Sequence, residues 1–321
     1  MFKRVISVLC AFAIVFGVFA FDGCKKKSAK KQEQKPEEEE EIVVPVPEDI
    51  GPTTYARYSK NEDGTYTEDE NGGYVAFGTY PVSIKEKSIT INKTKSADGY
   101  WVGSDNLRYV KQGTKYYKVE TIMWKILNIE DGKATLLCEQ AIDRVYYNRY
   151  YEESNGEYYK SDSKKNFILD ENDEKIFANN YEHSDLREYL NGTFLETAFT
   201  ETQRALIATT TVDNSSETNT PDENPNPYAC ENTEDKVYVL SYQEAVALGE
   251  NADRCRTASA YAQARGVHVY DNGNCLLWLR SPYFDDSYFA SIVDDDGRVA
   301  TYLSVNYDDG GVAPALQITL Q

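Results

Sequence analysis

The stretch TIMWKIL (121–127) is followed, after three residues, by Asp131-Gly132 and then by KATLLC (133–138). Two short apolar runs joined by Asp-Gly predict a β-hairpin, because both central residues of a tight hairpin turn need positive φ, which Asp tolerates and Gly adopts freely. Trp124 is expected to pack within this ribbon. Upstream, YVAFGTY (74–80) alternates like a further strand. Downstream the pattern turns helical. Thr193 with Glu196, Thr200 with Gln203, and Ser241 with Glu244 have capping-box spacing, in which side chains satisfy the free amides of a first turn. Between them Asp213 to Glu234, rich in Asn, Thr and Pro, predicts a surface loop. Residues 237–240 predict a short buried strand feeding the Ser241 helix, and from Cys275 onward only strands and turns are legible. Strands, then helices, then strands predict an α+β domain with an antiparallel sheet.

Outward from this core, the amino terminus reads as an export signal. Met1 to Arg4 carry two cations, and the apolar run from Val5 to Ala20 is too short for an ordinary spanning helix. The run ends in Ala20-Phe21-Asp22-Gly23-Cys24, followed by Lys25, Lys26 and Lys27. This resembles the lipobox of bacterial lipoproteins, although Phe21 and Asp22 stand where leucine and a small residue are usual. The resemblance implies a signal peptide over 1–23 and lipidation of Cys24. Residues 24–50 pass from a lysine cluster through Glu37–Glu41 to alternating valines and prolines, a composition that cannot repay chain ordering and predicts an extended tether.

The chain has 321 residues and a formal charge of −19. Such a charge repels phosphate backbones and argues against nucleic acid as a partner. Only two histidines occur, His183 and His268, leaving little material for histidine metal sites. Outside the amino-terminal segment the cysteines are Cys138, Cys230, Cys255 and Cys275; an even number in an exported chain permits disulfides in three connectivities, and the spacing does not choose among them or against free thiols. There is no GxSxG elbow, no CxxC pair and no DxDxDG calcium loop. With 53 acidic residues, the closeness of any two says nothing about glycoside cleavage.

Several pieces together resemble a family of exported bacterial domains: YVAFGTYP (74–81), Trp124-Lys125-Ile126-Leu127, Ser184-Asp185-Leu186-Arg187 with Leu190-Asn191, Phe194 and Phe199, Val239-Leu240-Ser241 with Glu244, Trp278-Leu279-Arg280-Ser281-Pro282, and Gly310-Gly311-Val312 with Pro314-Ala315-Leu316. The resemblance implies a C-type-lectin-like fold of the formylglycine-generating-enzyme variety: an α+β domain over 51–321 with an antiparallel sheet, flanking helices and long loops. It also looks like the variable lipoproteins of treponemes, whose 3′ coding segment is rewritten at adenines by a retroelement. Ala313 departs from the pattern, which usually has arginine before the proline. The reactive cysteine pair of formylglycine-generating enzymes has no counterpart here, so no enzymatic activity and no cofactor is expected.

Rewriting both adenines of an AAC codon never yields Lys, Glu, Gln, Met or Trp. The chain holds 22 Lys, 29 Glu and 9 Gln, so the segment 283–309 should contain roughly five of them; it contains none, and has seven Asp, four Tyr and two Phe. Tyr and Phe offer contact area with few rotors, while Asp, Asn and Ser offer hydrogen bonds, as in antibody paratopes. With Val293, Val299, Leu303 and Val305 as inward anchors and Asp294 to Gly297 as the turn, the residues between them face outward. The expected ligand-binding set is Tyr283, Phe284, Asp285, Asp286, Tyr288, Phe289, Ser291, Asp295, Asp296, Arg298, Tyr302, Ser304, Asn306, Tyr307 and Asp308. The expectation is a lipid-anchored protein, displayed at the outer membrane or cell surface, that binds a protein ligand. A constant structural or adhesion module, and a solute-binding lipoprotein with an enclosed pocket, are the alternatives.

Overall fold

A computed structural model describes residues 56–221 and 225–319. The signal peptide 1–23, Cys24 and the tether 24–50 lie outside the described residues. Among the described residues, no helix is long and apolar enough to cross a membrane.

The Asp131-Gly132 hairpin is present and central. Asp131 and Gly132 take φ of 49° and 72°, and they join Lys115–Glu130 to Lys133–Cys138. This pair sits in the middle of a ten-stranded sheet ordered Val237–Tyr238, Ala315–Thr319, Lys133–Cys138, Lys115–Glu130, Tyr74–Ile84, Arg57–Lys60, Tyr66–Glu68. Three further strands, Ile91–Lys95, Trp101–Gly103 and Arg108–Gln112, branch from the first half of Lys115–Glu130. Trp124 is buried, and its indole nitrogen donates to the Phe77 carbonyl at 2.7 Å.

Tyr74–Ile84 is broken by a register shift around Gly78, whose φ is +72°. A Cβ there would lie 2.5 Å from the Phe199 ring and 2.8 Å from the Ala198 carbonyl. Gly78→Ala therefore meets both backbone strain and a clash, and should cost about 1–3 kcal/mol. An unchanged urea midpoint would show that the bulge relaxes freely.

The flanking-helix expectation fails. Of the described residues 40% are strand and 15% helix, in several antiparallel sheets, and this is not a helix-flanked α+β lectin-like fold. The capping boxes at Thr200 and Ser241 are formed, but each starts a helix of six residues. A cap satisfies the first amides and carries no information about length. Thr193 is not a cap at all. The helical run starts instead at Ser184, whose hydroxyl accepts from the Arg187 amide at 3.0 Å, and Thr193 falls inside a π-turn at Leu190–Phe194.

The segment 213–234 also differs from a plain surface loop. Thr210–Val212 pairs with Thr233–Asp235, and Asn214, Asn219 and Asn226 are buried. They are tolerated because they are bonded: Asn226 Nδ2 donates to the Pro282 carbonyl at 2.9 Å, and Ser281 Oγ donates to Asn219 Oδ1 at 2.6 Å.

A second sheet carries the carboxy-terminal ribbon, in the order Val299–Ser304, Phe289–Val293, Leu277–Pro282, Gly311–Val312, Asp143–Arg144. The pairing of Leu277–Pro282 with Gly311–Val312 is parallel and the rest antiparallel. Ala313 and Pro314 pass the chain from this sheet to the main one, where Ala315–Thr319 pairs with Lys133–Cys138. Ala313 is buried beside a void of about 20 Å³ bordered by Arg254 and Arg256, so arginines stand near this position although the residue before the proline is small.

Candidate recognition face

The ribbon Phe289–Val293/Val299–Ser304 separates two clusters of the expected contact residues. At one end is the turn. Asp294 accepts from the amides of Asp296 (3.0 Å) and Arg298 (2.8 Å), the Gly297 amide donates to the Asp294 carbonyl (3.0 Å), and Gly297 has φ +80°. The Asp294 carboxylate is thus committed to the turn, and among the described residues no group of three His, Cys, Asp or Glu could hold a metal. Asp296 pairs with Arg298 at 2.9 Å in the open, and Asp295 is half-buried beside Asn272.

At the other end the loop 283–289 meets the small hairpin Tyr151–Ser154/Glu157–Lys160. The Tyr288 ring lies 4.8 Å from both Tyr151 and Tyr158, and Phe289 lies 4.9 Å from Tyr288. Tyr283 meets Phe284 edge-on at 5.0 Å. The Tyr288 hydroxyl donates to Asn306 Oδ1 and accepts from the Tyr151 hydroxyl, both at 3.2 Å. Asp285 is exposed, while Asp286 accepts from the Tyr288 amide at 2.8 Å.

The backbone of this segment is held from outside it. Buried Asn179 donates through Nδ2 toward the carbonyls of Tyr283 (3.4 Å), Asp286 (3.2 Å) and Phe289 (3.0 Å). Asn272 and Asn274 each donate to the Asp295 carbonyl at 2.9 Å, Arg254 donates to the Gly297 carbonyl at 3.1 Å, and Arg144 donates to the Asp308 carbonyl. Every one of these acceptors is a main-chain oxygen. Such bonds are indifferent to which side chain the accepting residue carries.

Residues 131–320 match a family described as a domain of unknown function, DUF6273. The chain belongs to the DUF6273 family. No curated protein and no solved structure matches the chain. The DUF6273 stretch opens in the Asp131 turn, so its first strand is paired with Lys115–Glu130, which precedes it. It contains both ends of the ribbon and all the residues that hold the ribbon's carbonyls.

Not all of the expected contact residues reach the surface of this DUF6273 domain. Ser291 is fully buried, and its hydroxyl has no partner among the described residues, so it is not a surface contact; its strand is covered on both faces from Ala290 to Val293. Tyr307 is half-buried, packs against the core and donates to Asp309 at 3.3 Å. Ser304 pairs with Phe289 in the ladder. Asp308 is exposed and ion-paired with Arg144 at 3.4 Å. Tyr302, 70% exposed, is the most open large side chain of the segment. Of the anchors, Val293 and Val305 are buried, whereas Val299 and Leu303 are half-buried. The reading from sequence missed Tyr151, Tyr158 and Asn179. The alternation of Tyr151 and Tyr158 around Asn155-Gly156 was a hairpin signal, but their meeting with Tyr288 is a long-range event.

Elsewhere in the DUF6273 domain, Cys138, Cys230, Cys255 and Cys275 are free thiols. Burial pushes Cys138 and Cys275 up to about 12 from an ordinary 9.0, the opposite of an activated nucleophile. Unfolding exposes thiols that ionise near 9, while the native thiols keep their protons. Their contribution to stability is therefore whole below about pH 9 and is lost as pH rises toward 12. The melting temperature should fall more steeply between about pH 8.5 and 10.5 in the natural chain than in Cys138→Ala/Cys275→Ala; equal slopes would assign the alkaline loss to other groups. His183 is exposed beside Glu182, and His268 packs edge-on against Tyr270 at 4.6 Å. A cavity of about 590 Å³ lies apart from the ribbon's aromatic end, lined by Lys60, Tyr66, Glu120, Glu139 and Arg256 among others.

Proposed function

We propose that the chain is an exported, lipid-anchored binding protein that presents a sequence-variable face on a constant scaffold to a protein ligand, and carries out no chemistry. The observation that supports this reading is the set of bonds from Asn179, Asn272, Asn274, Arg254 and Arg144 to main-chain carbonyls of the segment 283–309. They hold the backbone without calling on the segment's own side chains, only Asp294 and Gly297 being fixed by the turn, and this is the physical requirement for a surface that changes without refolding. The exposed Tyr302 and Asp285 and the half-buried rings of the 283–289 loop then supply contact area and hydrogen bonds. Depletion of Lys and Glu extends over all of 251–321, so packing, not codon usage, separates the changeable positions from the fixed ones.

Sequencing the gene's 3′ segment beside any near-identical template tests this. Differences confined to template adenines, at codons of exposed residues, are expected. Differences scattered over other bases would remove the variable face and leave a constant exported module. A solute-binding reading is favoured by the 590 Å³ cavity, where Arg256 is buried and, among the described residues, has no carboxylate partner. Saturable uptake of a small anion, lost in Arg256→Met, would select it instead.

A further inference from the structure

We infer that the face around Ser287 receives a basic protein segment, whose arginine or lysine side chains lie on the Tyr151, Tyr158 and Tyr288 rings and pair with Glu157, Asp285 and Asp286. This rests on the reading above and names the chemistry of the partner. Other rings in the same part of the molecule already carry cations. Lys175 lies 4.0 Å from the Phe167 centroid and 5.1 Å from that of Tyr159, and Tyr146 is flanked by Arg144 at 4.6 Å and Arg149 at 4.9 Å. Among the described residues, the three tyrosines, packed on one another edge-on and tilted, have no such cation, and the three carboxylates have no Lys or Arg nitrogen within 4 Å.

The carboxylates are nonetheless oriented. Glu157 accepts from the Tyr228 hydroxyl at 3.1 and 3.0 Å and from Ser287 Oγ at 2.7 Å, and Ser287 Oγ accepts from the Tyr158 amide at 2.7 Å. Neutral donors fix the carboxylate without cancelling its charge. Ser287, bonded to Glu157, directly follows Asp285 and Asp286 in the chain, so the three acids gather around it; burial, then the hydrogen bond to Glu157 and the charges of Glu157, Asp286 and Asp285, push the Tyr228 hydroxyl up to about 12. The single cation of the segment 283–309, Arg298, sits at the turn, the other end of the ribbon. A face that joins half-buried aromatic rings carrying no cation to carboxylates carrying no ion pair complements a guanidinium or ammonium group on both counts. The charge of −19 steers such a segment toward the molecule.

The test pans a random peptide library on the folded full chain and then titrates a labelled octa-arginine probe. Enriched peptides should carry several Arg or Lys residues, and the probe's affinity should fall about tenfold in Glu157→Gln/Asp285→Asn/Asp286→Asn. It should change little in Glu62→Gln/Glu68→Gln/Glu70→Gln, which removes the same charge from the amino-terminal strand pair. If the first triple variant does not fold, Asp285→Asn alone, at an exposed carboxylate, keeps the comparison. Equal losses in both triple variants would reduce the effect to bulk attraction and overturn the inference. Enrichment of uncharged peptides whose binding is lost in Tyr302→Ala would overturn the basic partner and keep the binding face. Enrichment insensitive to every change in the face would overturn both.

Discussion

Arg280→Met should bring the domain to the edge of unfolding. The guanidinium is 0% exposed and is held on all sides: Glu244 accepts from it at 2.8 and 2.5 Å, the Val239 carbonyl at 2.9 Å, and the Asp213 carbonyl at 3.0 Å. It thereby joins the Ser241-capped helix, the 213–234 segment and the second sheet. Methionine fills much of the volume but leaves the two carbonyls without a donor. Each buried carbonyl left without a donor costs about 1–3 kcal/mol, against a total for a domain of order 5–15 kcal/mol. Glu244→Gln should cost less, about 1–3 kcal/mol, because that side chain is 42% exposed and water can compensate. Urea midpoints of both variants decide it. A smaller loss for Arg280→Met than for Glu244→Gln would mean that the carbonyls find other donors and that the guanidinium is not the joint proposed.

Trp278→Ala and Tyr302→Ala should separate scaffold from face. Trp278 is buried, donates to the Val145 carbonyl at 2.9 Å, and packs edge-on to Tyr147 at 5.7 Å. A Cβ on Gly310 would come within 2.4 Å of the indole nitrogen, so that glycine exists to admit the ring. Removing the indole should cost about 3–5 kcal/mol. Tyr302→Ala should change stability by no more than about 0.5 kcal/mol and weaken ligand binding strongly. Tyr288→Ala falls between them. Its half-buried ring rests on Tyr151 and Tyr158, and losing those contacts should cost about 1–2 kcal/mol. Calorimetric melting of the three variants should rank them Trp278, Tyr288, Tyr302. A large loss for Tyr302→Ala would put that ring in the core and remove the exposed face.

Local signals carried well where the chemistry is local. Asp131-Gly132 specified a turn because two adjacent positive φ values are a property of two residues. Thr200 and Ser241 specified helix starts because a cap bonds an amide three residues away. The same signal misled at Thr193, where an uninterrupted helical run from Ser184 left no free amides to cap. Fold class was misjudged for a related reason: a cap marks a beginning, and only packing against sheets determines that the helix stops after six residues.

What the chain alone determined is the central hairpin, the packing of Trp124 in it, the acidic turn and the unusual Tyr and Asp content of the segment 283–309, all of which depend on near neighbours or on composition. Only the tertiary structure decided that Ser291 faces inward, that Tyr288 leans on two tyrosines more than 120 residues earlier, and that asparagines and arginines outside the segment hold its carbonyls. These follow from contacts between residues remote in sequence, where no periodicity or spacing records which side chain will meet which.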